Sequence, residues 1–449
     1  MRPRGTDAIP LPPRPNIEQY RNRAKALVKA CASGDGDPVR AWARHWLEAL
    51  SGHVGAIATA RRAEDPPTRF TEREIAKEVD AIEKDARASR LTGDGPDVSC
   101  TLADAQLFLA RLHDFVSWPK FVAHVEALSR EHSPNSEFEQ AADAVISGDI
   151  ATLSAMLRRN PKLVHARSAR EHGATLLHYT AANGHEGYRQ KTPKNAVDVA
   201  RLLLDSGAEA DALAYMYGVD VTTMEMLVSS VHPANAGVHP ALVDALIDFG
   251  ANPNGPAENG SPLMTAFSFG YPDAADALVR RGARADNVIS AAALGRTDLL
   301  DTWVVDGETI APGVTLAAVP WPRLRPDPRL HLEYALTWAA TWGRTDAVAL
   351  LLRRGVAATA SDGDLPALHL AAAHGHIDIV RLLLAHGASL ETRSSYDGTV
   401  LTGTLWFAYN SPVDSVDYPA VLRALIELGA RTDVHSDTQK WIDGILQRG

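Results

Sequence analysis

The sequence predicts an all-α fold: a solenoid of about eight helical pairs preceded by a small helical domain. Three observations predict it. First, residues 363–388 read as two short helices. Leu368, Ala371 and Ala372 fall at i, i+3, i+4, and beyond Gly375 a second helix puts Ile377, Val380, Leu383 and Leu384 on one face. Second, seven apolar helices end in a glycine: Gly207, Gly250, Gly282, Gly307, Gly355, Gly387 and Gly429. Third, four of these (Gly282, Gly307, Gly355 and Gly387) have another glycine twelve positions earlier, at Gly270, Gly295, Gly343 and Gly375, and Gly343 to Gly375 is 32 residues. Helical pairs this short cannot bury their apolar faces alone, so each must lean on a copy of itself.

The openings of the units add a motif to the period. Leu368-His369-Leu370-Ala371-Ala372 and Gly173-Ala174-Thr175-Leu176-Leu177-His178 are the clearest copies, with Ser261-Pro262-Leu263-Met264 behind them. A repeat near this length, with a turn, two helices and a Thr-Pro-Leu-His-x-Ala type opening, resembles the ankyrin repeat. The resemblance covers residues 137–435. It implies that His178 and His369 make structural hydrogen bonds between units. Glu225, Met264, Thr337 and Thr402 occupy that column elsewhere, so the bonding there must be remade.

Residues 1–15 are rich in Pro and Arg and read as a lead-in or draped arm. A helix over 16–32 follows, with Tyr20, Ala24, Leu27 and Cys31 along one face, then a turn at 33–38. The acids Asp35 and Asp37 look like the start of a calcium loop, but Pro38 and the missing later acids make it a turn. A second helix, 39–50, carries Trp42 and Trp46 at i, i+4, a packing face. Residues 71–90 form a charged helix with the thin stripe Ile75, Val79 and Ile82, and a loop at 91–96 follows. Thr101 with Asp104 starts the next helix as a capping box. Ser117-Trp118-Pro119 starts the last one, with Pro where its missing N–H costs nothing. Residues 1–132, through Pro12-Pro13-Arg14-Pro15, 105–111 and 115–125, are similar to a helical module preceding ankyrin arrays in some bacterial proteins; it reads as a cap shielding the first repeat, with an independent binding domain as the alternative.

The array is expected over 137–449. Unit one runs to Asn160-Pro161, where Asn is expected to take the left-handed conformation in place of Gly. Unit two opens at Gly173 and carries an insertion at 186–196. Unit three opens at Thr222 with an insertion around 232–240, and unit four spans 261–282. Unit five lacks a full turn at its front, and a Pro-rich excursion over 311–328 precedes unit six. Units seven and eight follow, and Trp441, Ile442, Ile445 and Leu446 suggest a capping helix.

Bulk properties exclude several classes. The N-terminus lacks a signal-like apolar stretch and no run approaches ~18 apolar residues, so a cytoplasmic protein without a membrane partner is expected. Cys31 and Cys100 are the sole cysteines and read as buried free thiols. Residues 1–132 hold 20 Lys+Arg against 19 Asp+Glu, leaving 25 against 36 for the remainder, so neither part offers the basic face that nucleic acid needs. No Gly-x-x-x-x-Gly-Lys-Ser/Thr, His-Glu-x-x-His, Gly-x-Ser-x-Gly or Cys-x-x-Cys occurs. No cofactor, metal or catalytic residue is therefore expected, and His374 and His376 read as structural.

The expected function is protein recognition, with another protein as partner. Aligning the units on the mid-repeat glycine brings Phe269, Leu294, Trp342, His374, Trp406 and Phe407 into the columns at the end of each first helix. The ankyrin resemblance implies that these columns line a concave groove. Large apolar side chains there, where solvent favours polar ones, indicate a contact surface. Tyr188, Arg189 and Gln190, with Tyr215 and Tyr217, form a second expected contact zone. The alternative is an enzyme or small-ligand binder with a pocket under the 186–196 and 214–240 insertions. Tyr188, Arg189, Tyr215, His232 and His239 would gather there as an acid–base and anion-binding set.

Overall fold

A computed structural model describes residues 8–12, 14–32, 36–58, 72–92, 100–130, 132–181, 185–316, 324–432, 442 and 444. The chain divides into two compact units, Met1–Asn252 and Pro253–Gly449.

The first unit begins with five helices: α1 (Ile17–Cys31), α2 (Asp37–Ala58), α3 (Glu72–Ala88), α4 (Leu102–Leu112) and α5 (Trp118–Leu128). Their starts follow the local chemistry. Asn16 accepts from the Glu18 N–H, Thr101 and Asp104 close a reciprocal capping box, and Ser117 caps α5 with Pro119 in its first turn. Tyr20, Trp46, Phe115 and Phe121 are buried in one apolar cluster. His113 lies in it, stacked on Phe121 at 5.1 Å and 5.2 Å from Tyr20. Its Nδ1–H donates to the Ile9 carbonyl at 2.7 Å, and burial pushes its pKa down to about 3. Of the N-terminal arm, Ala8 donates to the His185 carbonyl and Ile9 to that of Leu112, both at 2.8 Å. Residues 33–35 of the turn at 33–38 and 93–96 of the loop at 91–96 lie outside the described residues.

The first unit continues with α6 (Pro134–Ser147), α7 (Ile150–Arg159), a 3-10 turn over Leu176–Ala181, α8 (Ala196–Asp205), α9 (Thr223–Leu227), α10 (Val231–Asn235) and α11 (His239–Asp248). Between α8 and α9 a small hairpin interrupts the helices. Strand β1 (Ala214–Met216) pairs antiparallel with β2 (Val219–Val221) through Tyr217 and Gly218, both at positive φ, 52° and 94°. Asn160 is not left-handed as expected. Its φ is −134°, and its amide donates to Glu137 at 2.7 Å. Val199, Leu203 and Leu204 of α8 are buried, each contributing about 1.5–3 kcal/mol relative to an exposed side chain.

The second unit is a run of helical pairs. These are α12 (Ser261–Ser268) with α13 (Pro272–Arg280), α14 (Val288–Leu294) with α15 (Thr297–Trp303), and α16 (Pro328–Thr341) with α17 (Thr345–Arg353). Next come α18 (Ala367–Ala373) with α19 (Ile377–Ala385), and α20 (Val400–Asn410) with α21 (Tyr418–Glu427). First helices pack on first helices, α14 on α16, α16 on α18 and α18 on α20, as stacking requires. Ala291, Ala292 and Ala293 make α14 thin enough for close approach. Of the expected capping helix, Ile442 is helical and buried, while Trp441, Ile445 and Leu446 lie outside the described residues.

The helix-ending glycines fall into two kinds. Gly207, Gly250, Gly282, Gly355, Gly387 and Gly429 all have φ between 92° and 101°. At Gly387 the Ala388 N–H reaches Leu383 O and the Gly387 N–H reaches Leu384 O, both at 3.1 Å, a Schellman ending. Gly307 departs from the expectation: α15 stops at Trp303 and Gly307 is not among the residues at positive φ. A Cβ there would lie 2.2 Å from the Gly355 carbonyl oxygen, so Gly307 is required by close backbone approach.

Candidate functional site

In the second unit, one hydrogen-bond pattern fixes the ends of three first helices, α14, α16 and α18. A helix leaves its last carbonyls without partners. Here the carbonyl two residues before the mid-repeat glycine is taken by a side chain of the next pair. Arg344 Nε donates to Ala293 O at 2.8 Å, His376 Nε2 to Thr341 O at 3.0 Å, and the Tyr418 hydroxyl to Ala373 O at 3.1 Å. Arg344 and His376 each directly follow their own mid-repeat glycine. His369 adds a bond from Nε2 to the Gly398 carbonyl at 3.1 Å, and in the first unit His178 Nε2 reaches Val221 O at 3.4 Å. Burial lowers the pKa of all three histidines, to about 4 for His178, so they are neutral donors near pH 7. The inter-unit role read for His178 and His369 thus has a geometry, and His376 shares it.

The expected contact residues sit beside these anchored carbonyls. Phe269 is 47% exposed and Trp406 53% exposed. Leu294, Trp342, His374 and Phe407 are half-buried. Trp342 does not stand free of the core: its ring lies 5.2 Å from Phe267, which also touches Trp338 at 6.1 Å. His374 donates from Nδ1 to Leu370 O at 2.9 Å and lies 6.2 Å from the Phe407 ring, which meets Trp406 edge-on at 5.4 Å. Trp406 and Phe407 lie inside α20, which runs on to Asn410, and not at a helix end. Tyr409, 37% exposed, extends this apolar surface and was missed because no glycine marks the column.

The second expected zone divides. Tyr215 and Tyr217 are exposed on the hairpin, beside exposed Leu213 and Val219. The Tyr217 N–H donates to His185 Nε2 at 3.2 Å, and His185 Nδ1 lies 3.6 Å from Asp114. Tyr188 and Gln190 are half-buried. Arg189 is a correction: it is buried, and its guanidinium is committed internally. It donates to Glu139 at 2.7 Å, Asp143 at 2.8 Å and Glu186 at 3.1 Å. Arg170, also buried, donates to Glu186 at 2.7 Å and to the Tyr188 hydroxyl at 2.9 Å. The hydroxyls of Tyr179 and Tyr188 donate to the same Glu186 carboxylate, and His172 Nε2 is 3.4 Å from it. Burial pushes the Glu186 carboxyl up, but Arg170 and Arg189 with His172 together hold it well below the usual carboxylate range. The sequence shows an arginine in an insertion, which reads as surface. It does not show that three acids and a second arginine wait beneath.

The set proposed for a ligand pocket is therefore not assembled as expected. Arg189 faces Glu139, Asp143 and Glu186, and His239 is buried with Nε2 on the Ser230 carbonyl at 3.1 Å. Among the described residues, no group of three or more His, Cys, Asp or Glu side chains is arranged to hold a metal ion. Among them, too, no helix is long and apolar enough to cross a membrane.

Residues 316–394 match the family model for ankyrin repeats (3 copies), and residues 172–215 match that for a single ankyrin repeat. The crystal structure of the human ASB11 ankyrin repeat domain is similar at 20% identity, over 57% of this chain and 97% of that one, with a TM-score of 0.28. No curated protein matches the chain. The matched segments, with helical pairs stacked first helix on first helix, make this an all-α ankyrin-repeat solenoid preceded by additional N-terminal helices.

Proposed function

We propose that this is a non-enzymatic recognition protein that binds another protein through the apolar row at the ends of its first helices. The ankyrin-repeat fold is typical of protein-interaction scaffolds, and the row supplies a place for contact. Phe269, Leu294, Trp342, His374, Trp406 and Phe407 form the main surface on the concave face. Tyr188, Gln190, Tyr215 and Tyr217 form a second zone. Residues 1–132 act as a helical module, residues 137–449 as the array, and the protein works in the cytoplasm without nucleic acid or membrane as partner.

The observation that carries this reading is the exposure of Phe269 and Trp406 on a scaffold whose other large apolar side chains are mostly buried. Aromatic anchors on a rigid support bind with little ordering cost. The test is affinity capture with wild-type protein and the Phe269→Ala/Trp406→Ala double variant as baits. Each anchor acting as a hot spot should cost ~2 kcal/mol, roughly 30-fold in Kd. Trp342→Ala is a poorer probe, since removing its contact with Phe267 also loosens the fold. A partner captured equally by both baits would refute the assignment.

A further inference from the structure

The two cysteines lie 69 positions apart in sequence, yet the fold brings them together. Helices α1 and α4 pack against each other. At one end Tyr20 of α1 meets His113, the residue capping the C-terminus of α4, with ring centroids 5.2 Å apart. The same end is tied by Ile9, whose N–H donates to Leu112 O and whose carbonyl accepts from His113. The helices are thus antiparallel. From Tyr20 to Cys31 α1 rises ~16 Å, and from His113 back to Thr101 α4 descends ~18 Å. The last residue of α1, Cys31, therefore arrives at the start of α4, where Cys100 stands just before the N-cap Thr101. Both are free thiols, Cys31 buried and Cys100 half-buried, within hydrogen-bond reach of one another.

We propose that Cys31 and Cys100 are an oxidisable pair that closes to an intramolecular disulfide when the protein meets a peroxide. The Cys100 thiolate, on the more accessible sulfur, attacks one oxygen of hydrogen peroxide. The O–O bond breaks, hydroxide leaves and takes up the proton the Cys100 thiol had released, giving water, and Cys100 becomes a sulfenic acid. The Cys31 sulfur then attacks the sulfenic sulfur; the S–S bond forms, the S–O bond breaks, and a second water leaves with the Cys31 proton. Two thiols and one peroxide give one disulfide and two waters. Burial pushes both thiols up, so the thiolate is the minor form and the first step is slow. The bridge staples α1 to α4 across α2 and α3, closing a long loop in the unfolded chain and so stabilising the oxidised form.

Full-length protein treated with hydrogen peroxide and then unfolded in an alkylating reagent tests this. The expected result is loss of both alkylatable thiols, a mass lower by two hydrogens, a peptide linking Cys31 to Cys100, and a Tm raised by several degrees and restored by dithiothreitol. In Cys31→Ser, Cys100 should instead be trapped by dimedone as a sulfenic acid with no rise in Tm. Cys100 reaching the sulfinic acid while Cys31 stays alkylatable, or bridges formed only between molecules, would overturn the proposal. The peptide map of the wild type decides even if the variant folds poorly.

Discussion

Replacing Glu186 tests whether the charged interior of the first unit is as closed as its geometry states. The side chain has no exposed surface and accepts from Arg170, Arg189, Tyr179 and Tyr188. Glu186→Ala leaves Arg189 with Glu139 and Asp143, but leaves Arg170 with only Glu139 at 3.4 Å and the Tyr188 hydroxyl. One buried guanidinium is then left with a single, longer ion pair, and two hydroxyls lose their acceptor. Breaking one partner out of a buried pair costs about 3–5 kcal/mol. Glu186→Gln keeps the volume and one acceptor oxygen but not the charge, so it should cost about 2–3 kcal/mol. Urea unfolding followed by far-UV circular dichroism and tryptophan fluorescence measures both variants. A change below about 1 kcal/mol for the alanine variant would show that water reaches the arginines and that the network is open.

Three more predictions follow from the same contacts. Gly307→Ala should destabilise the second unit by about 2 kcal/mol or more, because the new methyl meets the Gly355 carbonyl, whereas Gly387→Ala meets nothing and should cost only about 1 kcal/mol of backbone strain; thermal unfolding separates them. Gly343→Ala places its Cβ 2.7 Å from the His376 ring and should cost about 2 kcal/mol, and His376→Ala, which orphans the Thr341 carbonyl, about 1 kcal/mol, both read by urea midpoints. Acid should weaken the first unit early. Burial lowers His113 to about 3, and His124 and His178 to about 4, so the unfolded chain takes up protons first. This stability is complete above about pH 6.5 and is lost as pH falls towards the folded values; each histidine withdraws up to about 1.4 kcal/mol by about pH 5.5. Urea midpoints that stay flat from about pH 7.5 to about pH 5.5 would contradict the burial of these rings.

Much of the fold was legible because its signals are local. Periodic apolar positions, terminal glycines and caps such as Thr101 with Asp104 are decided within one or two turns of chain, and the structure keeps them. Gly307 shows the limit: its position matches the glycine column, but its cause is the backbone of the next pair. Asn160 shows another, since its amide has a better use on Glu137 than in a left-handed cap. Arg189 is the largest departure. Its neighbours Glu139 and Asp143 come from α6, about fifty residues earlier, and no spacing rule links a loop arginine to acids on a distant helix face. Of the contact row, Phe269 and Trp406 are exposed as their columns imply. Trp342 leans on Phe267, a contact visible only once the pairs are stacked.

The carbonyl ladder explains why one column serves both packing and surface. Ala293, Thr341 and Ala373 each present a carbonyl to the next pair, and each is followed by a side chain left half-buried: Leu294, Trp342 and His374. Tying the carbonyl prevents the last turn of the helix from fraying, and a turn that cannot fray holds the following side chain in one orientation. The mid-repeat glycine serves the same end twice over. Its positive φ ends the helix, and its missing Cβ leaves room for the Arg344 or His376 side chain that makes the tie. A larger residue there would cost the tie and the orientation together. The rigidity that a recognition surface needs is thus supplied by bonds between neighbours, and no single pair could provide it by itself.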